Sequence, residues 1–252
     1  MKIGSQLYSL RNIAATPEDL AATLKAVHDI GYRYVQLSGI CKCDPGFLRE
    51  LLQENDLTAV VCHVTCKDLT ERLEETLAYY KTAGCENIGI GAMPKSLRGT
   101  PEGTQAFLAG LEKAMQALTA QGKKLYFHNH AFDFIRFPDG TDNLTLLAKE
   151  PRISLLLDTY WIHMGGYDAP AYIRACAGKC DIVHFKDWEL DGNTPRFAPV
   201  GRGNLDWPAI YAACEDIGVK YAFVEQDDVY GEDTPLGCAE ESFRNMDKWG
   251  WM

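Results

Sequence analysis

Short apolar runs alternate with longer amphipathic segments along the whole chain. The runs are rich in β-branched and aromatic residues and are apolar on both faces, which is typical of buried parallel strands. They predict eight strands, at Lys2–Tyr8, Tyr34–Ser38, Leu57–His63, Asn87–Gly91, Leu125–Asn129, Arg152–Leu157, Asp181–Lys186 and Tyr221–Gln226.

A segment of helical period follows each predicted strand. In the first of them Thr16 predicts the N-cap, Pro17 the first helical position and Gly31 the end of the helix. A long loop, Glu189–Leu205, is predicted before the seventh helix. The eight predicted helices are Pro17–Ile30, Gly46–Asn55, Asp68–Ala83, Pro101–Ala120, Asn143–Lys149, Ala169–Ala177, Trp207–Ile217 and Pro235–Lys248.

Eight strand–helix units in 252 residues predict an α/β fold, a single (β/α)8 TIM barrel domain spanning residues 1–252. Right-handed crossovers of this length close a parallel sheet into a barrel. An open doubly wound sheet is the alternative, but no Gly-x-Gly-x-x-Gly motif follows the first strand.

The charge balance narrows the choice of partners. The chain has 35 acidic and 25 basic residues, and its formal net charge is −10. Such a protein is a poor electrostatic match to a phosphate backbone or an anionic membrane surface. We therefore expect neither nucleic acid nor membrane as a partner, and the composition is compatible with a homo-oligomer.

The cysteines and the N-terminus indicate a compartment. The nine cysteines are scattered, without the paired spacing of a zinc knuckle, so reduced thiols are expected. The N-terminus enters a strand without the apolar region of a signal peptide, and no run reaches transmembrane length. A cytoplasmic location is expected.

Imidazole and carboxylate side chains lie at the ends of four consecutive predicted strands. They are His128 with His130, then Asp158, His184 and Glu225. In a parallel barrel these C-terminal ends face the same mouth. A single carboxylate after a strand is usually a helix cap, but three polar strand ends in consecutive units, two carboxylates and one imidazole, favour a shared partner. Nitrogen and oxygen ligands converging on one spot predict a divalent metal ion, Mn, Mg, Co or Zn.

Two further polar residues are predicted to face this mouth. Lys186 shares the side of His184 and could hold a substrate oxygen or stabilise an enolate. A salt bridge from Lys186 to Asp187 or Asp158 is the structural alternative. His63 ends the third strand, where it would bind substrate or form part of the wall.

Three more candidates for substrate binding lie around the same mouth. Trp161 follows the sixth strand and could pack against the face of a sugar ring, or against the rim. Gln6 lies in the first predicted strand and carries the same two interpretations. Arg202 projects from a glycine-rich turn and could meet an anionic or hydroxyl group of the substrate.

Several motifs together resemble the xylose-isomerase-like TIM-barrel family, which includes sugar and sugar-phosphate isomerases and epimerases, inosose dehydratase and endonuclease IV. The resemblance spans most of the chain, and its second half is the more specific. The motifs are His-Asn-His-Ala-Phe-Asp-Phe, Leu-Asp-Thr-Tyr-Trp, Val-His-Phe-Lys-Asp, Pro-Val-Gly-Arg-Gly-Asn-Leu-Asp-Trp-Pro-Ala-Ile and Phe-Val-Glu-Gln-Asp.

The resemblance implies a metal site made of Glu, Asp, His and Glu at strands five to eight. Asp158, His184 and Glu225 match the last three positions, whereas His128 stands where the family has its first Glu, with Asp133 a few residues further on. In the family's epimerases the two glutamates act as an acid/base pair. One Glu and one imidazole therefore leave isomerisation and dehydration open beside epimerisation.

These implications predict a metal-dependent isomerase or epimerase of a sugar or sugar phosphate that removes a proton next to a carbonyl. Its substrate is a small carbohydrate. Glu225 is the candidate base, and His128 or His130 is its partner acid. A keto-sugar or keto-inositol dehydratase, that is a lyase, using the same residues is the first alternative.

Two other functions remain as alternatives. An endonuclease IV-like phosphodiesterase is disfavoured by the acidic charge and by Trp161, which stands where that family places a further His. A non-catalytic barrel that binds sugar without metal is the other alternative.

Overall fold

Eight parallel strands close into one barrel in the computed structural model, which describes residues 1–85 and 87–252. Each barrel strand pairs with its neighbours in sequence, and the last pairs with the first. The (β/α)8 TIM barrel predicted from the sequence is thereby confirmed. The barrel strands are β1 (Lys2–Gln6), β2 (Tyr34–Leu37), β3 (Thr58–Val64), β4 (Asn87–Ile90), β5 (Leu125–His128), β6 (Ile153–Asp158), β7 (Cys180–Phe185) and, last along the chain, β10 (Tyr221–Val224).

Helices cover the outside of the barrel, and many begin where the sequence supplies a cap. Thr16, Thr100 and Thr234 each accept a backbone N–H, and each precedes a proline in the first turn. The helices are α1 (Pro17–Ile30), α2 (Pro45–Glu54), α3 (Cys66–Glu71), α4 (Leu73–Thr82), α5 (Pro101–Gly110), α6 (Glu112–Thr119), α7 (Asn143–Leu147), α8 (Thr159–Met164), α9 (Ala169–Ala175), α10 (Trp207–Asp216) and α11 (Pro235–Lys248).

Two predicted helices were wrong in extent, because each is broken once. Arg72 has φ −135° and separates α3 from α4, although the sequence has neither glycine nor proline there. Leu111 turns the chain between α5 and α6. Local propensity alone would continue the first helix through Arg72, whereas Gly110 stands directly before the second break and weakens the helix there.

The first predicted strand was also too long at its end. The strand stops at Gln6, and a 3₁₀ helix, Leu7–Ile13, follows it. The side chain of Gln6 accepts a hydrogen bond from the backbone N–H of Tyr8. Further 3₁₀ helices are Lys95–Leu97 and Ala131–Phe134.

The segment Glu189–Leu205 is not the uninterrupted loop that the sequence analysis predicted. An antiparallel hairpin made of β8 (Asp187–Asp191) and β9 (Thr194–Ala198) occupies its first half. Gly192, with φ +59°, and Asn193 make the two-residue turn, and Gly-Asn is a pair that such hairpin turns accept. The Gly-Asn pair was therefore a hairpin signal that the sequence analysis did not use.

Side chains inside the barrel form an apolar layer below a polar one. Because strand side chains alternate with period two, the polar residue stands two positions after the apolar residue on the same strand. The apolar layer contains Tyr34, Val61, Tyr126, Leu156, Ile182 and Phe223. The polar layer above it contains Gln36, His63, His128, Asp158, His184 and Glu225. The apolar layer closes the barrel floor beneath the polar one.

Candidate metal centre and pocket

Four side chains of the polar layer meet at one point. His128, Asp158, His184 and Glu225 are all buried, and one ligand atom from each lies within 4.8 Å of the others. His184 Nδ1 is 2.9 Å from Glu225 Oε2, and His128 Nε2 is 3.4 Å from Asp158 Oδ2. Barrel closure therefore brings together the four residues that the sequence analysis assigned to metal binding.

Hydrogen bonds orient both imidazoles toward this cluster. His128 Nδ1 lies 3.1 Å from the carbonyl oxygen of Gly91, and His184 Nε2 lies 2.9 Å from Gln36 Oε1. Since an oxygen acceptor holds the proton on the outer nitrogen, the lone pair of the other nitrogen faces the cluster. Two such imidazoles and two carboxylates suit a divalent cation.

The carboxylate of Asp158 is positioned by the helix that follows it. Asp158 is the N-cap of α8, and its Oδ1 accepts the backbone N–H of Trp161 at 2.8 Å. Its own N–H donates to Asn129 Oδ1 at 2.9 Å. These contacts leave Oδ2 facing His128. The capping role and the ligand role that the sequence analysis treated as alternatives are thus compatible in one side chain.

Lys186 is buried beside Glu225. Its Nζ lies 3.4 Å from Glu225 Oε2 and 2.5 Å from Asp227 Oδ2. Burial alone would lower the pKa of Lys186, but the charges of Glu225, Asp158 and Asp227 outweigh it and raise the pKa above its usual value. Lys186 is therefore a protonated donor, and its ion-pair partners are Glu225 and Asp227.

The two carboxyl groups near Lys186 have pKa values that are shifted in opposite directions. Burial would raise the pKa of Glu225, but Lys186 and His184 hold it well below the usual range, so Glu225 is ionised. Burial and the charge of Glu225 raise the pKa of Asp227 to about 6. Adjacent carboxyl groups with separated pKa values are a common feature of acid/base sites.

The pKa values of three histidines that line the pocket are also shifted in different directions. Burial would lower the pKa of His128, but its hydrogen bond to Asp158 and the charge of Glu225 raise it. Burial lowers the pKa of His63 well below its usual value and that of His130 to about 2, so both rings are neutral. A cation bound by His128 would displace a proton from it, which couples metal affinity to pH.

An open pocket of about 660 Å³ lies above the cluster. Ligand sites in proteins commonly enclose about 300–1,000 Å³, so a small carbohydrate fits this volume. The candidate site residues that line it are His63, His128, His130, Lys186 and Glu225. Tyr8, Lys67, Arg98 and Asp227 also line it.

Three predicted substrate-binding residues do not line the pocket. Trp161 packs behind it, with its ring 5.3 Å from that of His130 and 5.0 Å from Lys186 Nζ. Gln6 is buried and caps the 3₁₀ helix after β1. Arg202 is held by ion pairs with Asp233 and Glu241 on the outer surface.

Asp133, which follows His128 in the same motif, is not part of the cluster either. Its side chain accepts the backbone N–H of His130 at 2.8 Å and the side-chain amide of Asn143 at 2.5 Å. His128 alone therefore represents β5 in the cluster.

The glycine-rich motif that contains Arg202 is ordered by Asp187. The Asp187 carboxylate accepts the Trp207 indole N–H at 2.6 Å and the backbone N–H groups of Gly201 at 2.9 Å and Gly203 at 3.1 Å. A Cβ atom on Gly203 would lie 2.2 Å from the carbonyl oxygen of Trp188. The motif therefore stabilises a loop and does not line the pocket.

Sequence reasoning missed three residues of the site. Gln36 stands near the end of a strand, as the predicted site residues do, but an amide side chain indicates a metal site less strongly than an imidazole. Asp227 stood in the run Glu-Gln-Asp-Asp, of which only Glu225 was selected. Arg98 lies in a loop, and nothing in its local sequence indicates that it reaches the pocket.

Comparisons with known proteins agree with this architecture. A sugar phosphate isomerase/epimerase from Parabacteroides distasonis is similar over 98% of both chains, with 21% identity and a TM-score of 0.81. An L-ribulose 3-epimerase covers 100% of this chain and 95% of its own, with 18% identity and a TM-score of 0.75. A probable 3-DHS dehydratase from Bacillus anthracis covers 98% and 99%, with 14% identity and a TM-score of 0.75.

These three likenesses are below 25% identity and show the fold alone. No curated protein matches the chain at a significant level. The family model described as xylose isomerase-like TIM barrel matches residues 24–248. The chain therefore belongs to the xylose isomerase-like TIM barrel family.

Proposed function

We propose that this protein is a metal-dependent isomerase or epimerase that removes a proton next to the carbonyl of a sugar or sugar phosphate. The observation that carries the proposal is the cluster of His128, Asp158, His184 and Glu225 at the floor of the pocket. The epimerases and isomerases among the structural relatives support the same class of substrate.

A bound divalent cation would polarise the carbonyl and hydroxyl oxygens of the substrate. Glu225 is ionised and borders the pocket, so it takes the proton from the carbon beside the carbonyl. Lys186 donates a hydrogen bond to the oxygen on which negative charge develops. The apolar layer below the cluster and the ring of Trp161 limit the access of water to these groups.

We assign His128 to holding the cation rather than to proton transfer. Its Nδ1 is bound to the carbonyl of Gly91, and its Nε2 faces Asp158 and Glu225. His130 and His63 are neutral rings on the pocket wall. Either ring could relay the proton that returns to the substrate.

A dehydratase acting on a keto sugar is the second candidate, and Asp227 favours it. This carboxyl group lines the pocket and has a pKa raised to about 6 by burial and by Glu225. A carboxylic acid that is partly protonated near neutral pH can protonate a departing hydroxyl group. Glu225 would again remove the proton, and water would leave instead of the proton returning.

Solvent deuterium exchange separates these functions. The purified protein is analysed for bound metal and then incubated in deuterated water with keto sugars and their phosphate esters. An isomerase or epimerase incorporates deuterium beside the carbonyl, whereas a dehydratase releases water and yields an unsaturated product. Binding without either change, in a protein that contains no metal and is insensitive to chelator, would establish the non-catalytic sugar-binding barrel.

A further inference from the structure

Arg98 lies in the loop between β4 and α5, where it lines the pocket above the metal cluster. Its Nε donates to the carbonyl oxygen of Met93 at 2.8 Å, and its guanidinium carbon lies 3.6 Å from the ring centre of Phe132. One hydrogen bond and one stacking contact therefore hold the guanidinium in a defined orientation.

Within residues 1–85 and 87–252, no carboxylate forms an ion pair with Arg98. This is notable in a chain with 35 acidic residues, where Arg152 and Arg202 each contact two carboxylates. The two terminal amino groups of Arg98 remain available, because only Nε is used by Met93. A half-buried, oriented guanidinium without an acidic partner is suited to an anion from solution.

A row of rings connects Arg98 with the cluster. Phe132 lies under the guanidinium and stacks on His130 with ring centres 5.0 Å apart, and His130 lies 4.8 Å from the ring of His128. Arg98 and the cluster are therefore parts of one pocket wall. A substrate whose carbonyl lies at the cluster would extend its far end along this wall toward Arg98.

We propose that Arg98 binds an anionic group, a phosphate ester or a carboxylate, at the end of the substrate remote from the reacting carbon. The planar guanidinium presents two parallel N–H groups that match two oxygens of either anion. Lys67 also lines the pocket, but it pairs with Glu71 at 3.7 Å, so Arg98 is the residue that carries the proposal. This inference rests on the proposed function and restricts its substrates to acidic keto sugars.

The test compares binding of three probes that differ at one end: D-fructose, its terminal phosphate ester and D-fructuronate. Inorganic phosphate is a fourth probe, and isothermal titration calorimetry measures each on the metal-loaded protein. We expect the wild type to bind at least one charged sugar about tenfold or more tightly than D-fructose. The better of the two charged sugars identifies the anion as phosphate or carboxylate.

Arg98→Gln should remove that preference and weaken binding of inorganic phosphate, while affinity for D-fructose stays close to wild type. Arg98→Lys, which keeps the charge but loses the planar fork, should retain part of the preference. Arg136→Gln is the matched control, because Arg136 is an exposed arginine over the ring of Tyr167 and does not line the pocket. It should bind all four probes like the wild type.

Two results would overturn the inference: a wild type that does not prefer either charged sugar, or an Arg98→Gln variant that keeps the preference. The measurement needs no turnover, so it is separable from the proposed function. Anion binding through Arg98 without deuterium exchange would refute the catalytic proposal alone. Deuterium exchange with neutral sugars and no effect of Arg98 would refute this inference alone.

Discussion

At the residue scale, the orientation of two histidine rings decides whether the site can hold a cation. His128 is held by a backbone carbonyl, whereas His184 depends on the side chain of Gln36, on the opposite side of the barrel. Groups that bind the outer nitrogen of a ligating histidine fix its tautomer and its direction. Gln36 is therefore a positioning residue whose removal should be visible in metal affinity.

Gln36→Met replaces the amide by an apolar chain of similar length and removes the acceptor for His184 Nε2. We expect metal affinity to fall by about tenfold to a hundredfold, the usual effect of losing such a partner. Competition with a fluorescent chelator measures this without a substrate. Gln6→Met is the control, because Gln6 pairs in register with Gln36 but, among the described residues, hydrogen-bonds through its side chain to the backbone of Tyr8 and to no member of the cluster. Equal affinity in Gln36→Met and the wild type would contradict the assignment.

The Glu225→Gln variant should lose proton abstraction while its pocket stays intact. Gln is nearly isosteric and keeps an oxygen for the cation, but it cannot accept a proton from carbon. Deuterium exchange beside the carbonyl should fall on the order of a hundredfold or more, with a smaller change in sugar affinity. An unchanged exchange rate would reduce Glu225 to a ligand, and the base would then be sought at His63 or His130.

At the element scale, a network of ion pairs joins α6 to the start of β6. Arg152 contacts Glu150 at 2.8 Å and Glu112 at 2.8 Å. The hydrogen bond with Arg152 lowers the pKa of Glu150 from its usual 4.5 to about 2. A carboxyl group with a depressed pKa stabilises the fold above its unfolded pKa, because the unfolded chain then binds protons more readily than the folded one.

We expect Glu150→Gln to lower the free energy of unfolding at neutral pH. The difference from wild type should shrink as the pH falls from 4.5 toward 2, where Glu150 is protonated in both states. Urea unfolding at a series of pH values measures this. Glu232→Gln is the control, since Glu232 is an exposed loop residue that forms no ion pair with any residue of 1–85 or 87–252. A difference that is constant over the range would exclude the ion pair as its source.

At the scale of the whole molecule, the charge of −10 opposes binding to a polyanion. No helix in the described ranges has the length and apolarity needed to span a membrane. Arg202, which the sequence analysis placed at the mouth, lies on the outer surface and is paired with Asp233 and Glu241. This charge balance is unfavourable for a nuclease, which needs a positive face to bind its substrate.

Duplex DNA containing an abasic site should accordingly show no useful affinity at physiological salt. Fluorescence anisotropy of labelled DNA, with intact duplex as control, measures it. Tight binding that weakens steeply with added salt would restore the phosphodiesterase alternative.

The sequence by itself determined the barrel and the strand ends that could carry chemistry. Eight apolar runs separated by helical segments admit few closed topologies, and alternation along a strand sets which side chains face inward. These are local properties, so Asp158, His184 and Glu225 could be selected before any contact was known. Their roles in metal binding and catalysis stay predictions until they are measured.

Only the tertiary structure decided which of these groups act on one another. Gln36 meets His184 across 148 positions of sequence, and Arg98 reaches the pocket from a loop. Arg202, which looked available in its motif, is neutralised by acids from a distant helix and loop. Such pairings form only when barrel closure brings distant segments of the chain together. The residues that pair have the same local sequence features as residues that do not, so no local pattern could predict them.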